Sequence, residues 1–288
     1  MANFRIFQVP DQRAAQREVD PAFEVLDYSL NDRLDWFEYG PMRRFLLTET
    51  LDESCFYGFI PPQFASKSEL TAVQMAEFIR QCDGQAEVIL FSPRIDGGAQ
   101  FLNVFEHGDA AHPGLLAASR RLLARIESRI DLDDLVTDSQ NTVHSGCLVA
   151  KPRFWRQWLK ITDQIFGLAE SSTDQLGRTL TSSMPCRERG EVQMKVLIMD
   201  RIATLLLATD ATFAVRVLRP VLTSQQVCRT PVAILSDALK IAYRAQALSQ
   251  YQNVLRFVRT ARKFWRFELR LGSWISLVRM RSDVRKHE

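Results

Sequence analysis

The sequence predicts an α/β protein built on a mixed sheet flanked by helices. Short apolar runs that end at proline or at turn-forming residues are typical of buried strands. Segments with apolar side chains at helical spacing lie between these runs, so strands and helices alternate along the chain. The 288 residues are 46% apolar and 25% charged, which is typical of a globular protein with one large domain or two modest ones.

Six segments are predicted to form strands. In chain order they are FRIFQVP (4–10), FEVLDYS (23–29), SCFYGFIPPQF (54–64), AEVILFSP (86–93), SGCLVA (145–150) and FAVRVLRP (213–220). The fourth segment is the clearest, because it is a continuous apolar run closed by Ser-Pro.

Helices are predicted between and after these strands. They cover 34–51, 69–82, 112–130, the residues after Lys151-Pro152, 192–209 and the chain beyond Pro231. Gly40-Pro41 must kink or divide the first helix, and Thr71 can serve as the N-cap of the second. Residues 105–114 and 170–190 are predicted to form polar loops.

Charge divides the chain into two parts. Residues 229–288 hold 13 Lys and Arg against 4 Asp and Glu, a net charge of +9, whereas residues 1–228 hold 24 against 30, a net charge of −6. We therefore expect a domain over 1–228 and a basic helical extension over 229–288. No apolar run approaches the ~18 residues of a spanning helix, and the first residues lack the apolar core of a signal peptide, so we expect a cytoplasmic protein.

The five cysteines are scattered and form no C-x-x-C pair, so we expect reduced thiols that mostly fill the core. P-loop, dinucleotide-binding, H-E-x-x-H and G-x-S-x-G motifs do not occur in the sequence. These observations count against kinases, simple dehydrogenases, zinc proteases and serine hydrolases.

Acidic residues and histidines follow the strand predicted over 86–93. Asp96 precedes two glycines; it can coordinate a metal-bound diphosphate or accept a hydrogen bond from a sugar, although Asp-Gly is also an ordinary turn. Glu106 and His112 can lie at the rim of a substrate cleft. Alternatively, one histidine packs on the following helix while the acids cap it.

Polar residues also mark two later segments. Asn141, His144 and Ser145 precede the strand predicted over 145–150, where they can form the floor of a cleft. Asp200 lies within a strongly apolar helical pattern, in which an unpaired charge is costly. Asp200 is therefore either paired with an arginine or a base with a raised pKa on the cleft face.

The order of these segments resembles a family of bacterial glycosyltransferase-like proteins with a GT-A-type nucleotide-sugar fold, associated with surface polysaccharides such as lipopolysaccharide and capsule. The resemblance covers about residues 4–220. The parallel segments are FRIFQVP, DYSLNDRLDWFEYGPMRRFLL, FYGFIPPQF, VILFSPRID, NVFEHGDAAHPGL, SGCLVAKPRFWRQWL and MKVLIMDRIATLLLA.

The resemblance implies transfer of a sugar from a nucleotide-sugar donor to a glycan or lipid-linked acceptor. It places Gln8 and Asp27 near the nucleotide, Tyr57 near the donor sugar, and Glu106, Asn141 and Ser145 on the acceptor side. A carboxylate or histidine must deprotonate the acceptor hydroxyl. The candidates for this role are Asp200 first, then His112 and His144.

The sequence departs from the family at one point, because no D-x-D triplet follows the FYGFIPPQF strand, where metal-dependent members bind manganese. The leaving diphosphate still requires neutralisation. Either the protein is metal-independent and uses Arg43, Arg44 or Arg94, or Mn²⁺ or Mg²⁺ binds at Asp96.

The basic C-terminal segment is predicted to contact a membrane. Residues 250–281 interleave aromatic and aliphatic residues with arginines, which suits a helix lying on an anionic bilayer. A packed helix with a solvated basic face has the same composition, and we expect no nucleic-acid partner. The predicted location is the inner face of the cytoplasmic membrane.

Two other functions remain open from the sequence. One is a non-catalytic binding or scaffold module that keeps the fold without D-x-D chemistry. The other is a small metal hydrolase built on His107, Asp109 and His112.

Overall fold

The computed structural model describes residues 3–9, 20–26, 33–61, 64, 70–91, 98, 101–143, 146–186, 189–218 and 231–245. Within these residues the chain forms a mixed six-stranded sheet with helices packed against it, and a separate two-stranded hairpin. The prediction of an α/β protein with a mixed sheet flanked by helices is confirmed.

The strands and helices have the following bounds. The strands are β1 (Asn3–Gln8), β2 (Glu24–Val25), β3 (Cys55–Ile60), β4 (Val88–Leu90), β5 (Leu148–Ala150), β6 (Ser183–Cys186), β7 (Gly190–Gln193) and β8 (Val215–Val217). The helices are a 3₁₀ turn at Leu34–Trp36, then α1 (Tyr39–Thr48), α2 (Ala72–Gln81), α3 (Val104–Ala111), α4 (Leu115–Arg125), α5 (Pro152–Ser171), α6 (Gln175–Thr181), α7 (Met194–Met199), α8 (Ile202–Thr209) and α9 (Pro231–Arg244).

The sheet has the order β2-β1-β3-β5-β4-β8. β1 pairs in parallel with β2 and β3, β5 runs antiparallel to β3 and β4, and β8 is parallel to β4. The chain passes from β1 to β2 on one side and then forms β3 on the other side of β1. The strand order therefore reverses between β1 and β3, and ligands bind at the carboxyl ends of strands at such a switch point.

Alternating side chains of the strands enter two apolar cores. Phe7, Tyr57 and Phe59 face the larger core, which helix α1 and helices α3 to α8 cover. Phe56 and Ile60 face the smaller core, which includes Met75 and Ile79 of α2. Helix α2 begins at Thr71, whose side chain forms a capping box with Gln74, as its sequence predicts.

Helix α1 is shorter than predicted. A helix was expected over 34–51, with a kink or a division at Gly40-Pro41. The 3₁₀ turn ends at Trp36 and α1 starts at Tyr39, so Gly40 and Pro41 lie in the first turn of α1. A proline is tolerated there because the first amides of a helix have no partner within the helix.

Two predicted loops are instead regular structure. Residues 104–111 form α3, because Asn103 caps its first turn with bonds to the amides of Phe105 and Glu106. The segment 170–190 contains the end of α5, all of α6 and strand β6, which pairs with β7. The helix predicted over 192–209 is divided into α7 and α8 at Asp200–Arg201.

Helix α9 packs on the sheet domain through polar contacts. Asp237 accepts bonds from the amide and hydroxyl of Ser139 at 2.8 and 2.6 Å. Lys240 Nζ donates to the carbonyl of Gly98 at 2.9 Å, and Arg244 lies 3.1 Å from Asp138. Residues 231–244 are thus helical, as predicted, whereas residues 250–281 lie outside the described part of the chain.

Three of the four described cysteines are buried, and all four have free thiols, as predicted. None of the helices in the described part of the chain has the length and apolar character that crossing a bilayer requires.

Candidate active site

The β6–β7 hairpin contacts the connection that follows β2 and the connection that follows β4. Arg189 lies 3.2 Å from Glu38, in the connection after β2. Pro185 of β6 contacts His112, in the connection after β4, through a main-chain hydrogen bond. The hairpin therefore brings together segments that are more than 70 residues apart in the sequence.

The centre of this region is the guanidinium of Arg201. Its Nε donates to the carbonyl of Val104 at 3.0 Å, and its Nη1 donates to the carbonyl of Leu197. No salt bridge to a carboxylate holds Arg201 among the described residues. Burial lowers the pKa of Arg201, and the charge of the adjacent Asp200 acts in the opposite direction. A partly buried cation bonded only to carbonyls favours binding of an anion.

Gly108 explains how Arg201 reaches this position. A Cβ atom at residue 108 would lie 2.4 Å from Nη2 of Arg201. The glycine within α3 is therefore needed for the guanidinium to pack against the helix backbone.

His112 lies at the end of α3 beside Arg201. Burial lowers the pKa of His112, the charge of Arg201 lowers it further, and the hydrogen bond to Pro185 acts against both. Proline has no N–H, so the imidazole donates this bond. Its Nδ1 is buried and has no partner among the described residues. Nε2 therefore carries the proton, and neutral Nδ1 can accept one.

Asp200 was predicted to lie within an apolar helix. It lies instead at the break between α7 and α8. Its side chain is 50% exposed and lies 3.8 Å from Arg189. The arginine contact agrees with the ion-pair alternative. Arg201 nevertheless interacts electrostatically with both Asp200 and His112.

Strain accumulates in the segment that Arg189 contacts. Phe37 has φ +49°, a conformation rare for an aromatic residue, with a cost of about 1–3 kcal/mol. Its neighbours are fixed by side chains from distant segments: Trp36 donates to Glu170 at 2.9 Å, and Glu38 pairs with Arg189. The guanidinium of Arg189 also lies 5.2 Å from the ring centre of Phe37.

Gln8 lies at the switch point of the sheet. It is the last residue of β1, is 2% exposed, and its register partners are Val25 in β2 and Ile60 in β3. Its Oε1 accepts from the amide of Asp20 at 2.8 Å. Gln8 therefore shapes the carboxyl edge at the position where the resemblance predicts a nucleotide.

Four other predicted site residues have structural partners. Arg43 pairs with Asp163 at 2.6 Å, and the Tyr57 hydroxyl accepts from Asp52 N at 2.9 Å within the larger core. Glu106 accepts from the amide of Leu102 at 2.8 Å at the start of α3. Asn141 is buried and accepts from the amide of Asp138 at 3.0 Å.

Five of the predicted residues are not described. Asp27, Arg94, Asp96, His144 and Ser145 all lie outside the described residues. The described part contains no group of three His, Cys, Asp or Glu side chains that is suited to a metal ion. Asp109 accepts from the amides of Gly114 and Leu116 at 3.0 Å, so it caps α4 and does not join His107 and His112. The metal-hydrolase alternative is therefore unsupported.

Sequence reasoning did not identify the two arginines of this region. Arg189 lies in a segment interpreted as a loop, and Arg201 was considered only as a neighbour of Asp200. Two features of the sequence point to Arg201: it is a charged residue in an apolar stretch, and Gly108 lies within α3. Their contact joins residues 93 positions apart, so no local pattern shows it.

Comparison with protein-family models, with curated proteins and with solved structures found no match to this chain. Function is therefore inferred from the residues and their geometry.

Proposed function

We propose that this chain is a glycosyltransferase that transfers a sugar from a nucleotide-sugar donor to a glycan or lipid-linked acceptor in surface polysaccharide synthesis. The observation that carries the proposal is the switch point between β1 and β3, with Gln8 buried at its edge. Nucleotides bind in this position in open α/β sheets. The proposed GT-A-like arrangement rests on this topology together with the resemblance in sequence.

The proposed catalysis uses Arg201 as the cation that stabilises the leaving diphosphate. Its guanidinium is bonded to carbonyl groups and is not neutralised by a salt bridge in the described structure. Preorganised donors of this kind stabilise developing negative charge without a metal ion. Mn²⁺ or Mg²⁺ at Asp96 is the alternative cofactor in this proposal.

Asp200 is proposed as the base that deprotonates the acceptor hydroxyl. Its exposed carboxylate is accessible to an acceptor, and the Arg189 contact at 3.8 Å is too long for a strong hydrogen bond. His112 is the second candidate, because its neutral Nδ1 can accept a proton without first losing one.

A non-catalytic binding module is the second candidate function. The position of Arg189, 3.8 Å from Asp200, favours it, since an arginine beside this carboxylate competes with an acceptor hydroxyl for it. Such a module would bind the nucleotide-sugar and carry out no transfer.

Binding and turnover distinguish these functions. We would titrate the full chain with UDP-, GDP-, dTDP- and CMP-sugars by calorimetry, with and without Mn²⁺, and assay donor hydrolysis and transfer. Asp200→Asn is expected to reduce turnover ~10²–10⁴-fold with unchanged donor binding. Arg201→Lys keeps the charge but loses the planar fork, and it should weaken donor binding.

Arg156→Gln is the matched control, because Arg156 forms an exposed pair with Glu53 far along the sequence from these groups. It should leave binding and turnover unchanged. Binding without turnover would favour the scaffold, and absence of binding to all four nucleotides would contradict both functions.

A further inference from the structure

A cavity of about 480 Å³ lies beside the edge strand β8, in a region separate from Arg201. Its apolar wall consists of Leu207, Phe213, Val215 and Val217. Polar side chains from two loops and from helix α9 complete the lining. The volume is within the ~300–1,000 Å³ that small-molecule sites occupy.

Several hydrogen-bonding groups at this cavity are unused in the described structure. Asn141 is 2% exposed; its Oδ1 is bonded to the amide of Asp138, whereas Nδ2 has no partner. The side-chain amide of Gln140 makes no hydrogen bond there, and Asp210 uses only Oδ1, for the Thr212 turn. A buried donor without a partner is costly and indicates a missing acceptor.

The charges around the cavity nearly cancel. Arg244 lies 3.1 Å from the buried carboxylate of Asp138, and the lining carries one further arginine, Arg216, and one further carboxylate, Asp210. A cavity with this balance does not favour a phosphate or another strongly charged group. Its amides, carboxylate and guanidinium instead offer donors and acceptors to a neutral ligand.

We propose that this cavity binds a neutral saccharide of one or two rings. Each sugar hydroxyl both donates and accepts, which suits the unused groups of Asn141, Gln140 and Asp210. The C–H faces of the ring suit the apolar wall. The cavity lining includes neither Arg201 nor Asp200, so this saccharide is distinct from the acceptor at the proposed catalytic groups, and its binding is independent of a donor.

The test uses saturation-transfer difference NMR on the full chain. The probes are methyl β-glucopyranoside, methyl β-galactopyranoside, lactose and N,N′-diacetylchitobiose, with glycerol as a control. We expect saturation transfer to at least one saccharide in the absence of nucleotide, with a dissociation constant that competition titration measures.

Asn141→Asp keeps an oxygen for the amide of Asp138 and replaces the unused NH₂ group, but it also adds a buried negative charge, so its unfolding free energy is measured alongside saccharide binding. Asp210→Asn likewise keeps the oxygen bonded to Thr212. Each is expected to weaken saccharide binding about 5- to 10-fold. Arg156→Gln should leave the affinity unchanged, because Arg156 pairs with Glu53 and does not line the cavity.

The inference would be overturned if none of the four saccharides showed saturation transfer. It would also be overturned if both variants bound the saccharide with the affinity of the native chain. Nucleotide-sugar titrations are run in parallel. Donor binding without saccharide binding would refute this site alone, whereas saccharide binding without donor binding would support the cavity and refute the proposed transferase.

Discussion

Lys195 Nζ lies 2.5 Å from a carboxylate oxygen of Asp35, although the Lys195 side chain is only 1% exposed. The ammonium also lies 3.6 Å from Glu170 and 4.2 Å from the centre of the Trp36 ring. Arg33 binds both carboxylates from the solvent side. These five residues, here called the Lys195 cluster, join the 3₁₀ turn to the end of α5 and the start of α7.

Lys195→Met should destabilise the protein by about 2 kcal/mol. Removal of one member of a buried ion pair leaves an uncompensated charge, at a cost of about 3–5 kcal/mol, but Asp35 and Glu170 retain partial exposure and Arg33 as a partner. Urea unfolding followed by circular dichroism measures the change. Arg156→Gln breaks an exposed pair and should change the free energy of unfolding by less than about 1 kcal/mol. Equal effects of the two substitutions would contradict the importance of the Lys195 cluster.

Gly108→Ala should displace Arg201 and destabilise the fold by about 1–3 kcal/mol. The new Cβ would lie 2.4 Å from Nη2, so the guanidinium must move away from the carbonyl of Val104. Urea unfolding measures the stability, and calorimetry with the nucleotide-sugars measures the accompanying loss of donor binding. A variant with native stability and binding would show that Arg201 adapts without consequence.

Gly167→Ala is the matched helical control for that substitution. Gly167 lies in α5, and nothing is within 4 Å of the position that its Cβ would occupy. Alanine there should stabilise the protein by about 0.5–1 kcal/mol, because it reduces the freedom of the unfolded chain without a clash. Opposite signs at the two glycines would isolate the contact with Arg201 from helix propensity.

The buried Lys240 predicts a stability difference that depends on pH. Burial lowers the pKa of Lys240 to about 8, while Asp237, Asp138 and Glu106 act to raise it. Since the unfolded chain retains an ordinary pKa near 10.5, it binds more protons between pH 8 and 10.5. Burial of the charged ammonium therefore opposes folding, and this destabilisation is fully present below pH 8. It decreases as the pH rises from 8 to 10.5, so the stability of the protein increases across this window.

Lys240→Met removes that cost together with the bond to Gly98. The difference in unfolding free energy between Lys240→Met and the native chain should shift in favour of the native chain by about 2–3 kcal/mol from pH 7 to 10.5. Parallel urea titrations at several pH values measure it, and the subtraction removes the titration of all other groups. A difference that is constant with pH would show that Lys240 has an ordinary pKa in the folded protein.

Local patterns were sufficient to predict the sheet and most helices. β3 and β4 are apolar runs with no exposed residue, and the capping box at Thr71 is visible in the sequence itself. The prediction of loops over 105–114 and 170–190 was wrong, because the glycine, proline and polar residues of these segments favour loops locally. Their structure depends on contacts with distant residues, such as the packing of Gly108 against Arg201.

The candidate site was less accessible to sequence reasoning for the same reason. Asp200 and His112 were identified by residue type, but the environment of Asp200 depends on the break between α7 and α8. The apolar pattern 192–209 continues through that break without a glycine or proline to mark it. The Lys195 cluster joins residues up to 162 positions apart, and no local pattern indicates such a pairing.

Two truncations test the proposed membrane contact of residues 250–281. Helix α9 supplies Asp237, Lys240 and Arg244 to the domain, so a cut after residue 230 removes structural contacts along with the basic segment. A cut after Ala245 removes the basic segment alone. The second truncation should keep the thermal stability and donor binding of the full chain but lose binding to phosphatidylserine-containing liposomes, to which each surface Lys or Arg contributes about 1 kcal/mol. The first should also unfold at a lower temperature.

Binding of the full chain should weaken with added salt, because screening reduces attraction to anionic lipid. If the full chain does not sediment with these liposomes at low salt, or if the cut after Ala245 leaves sedimentation unchanged, residues 250–281 do not provide a membrane anchor.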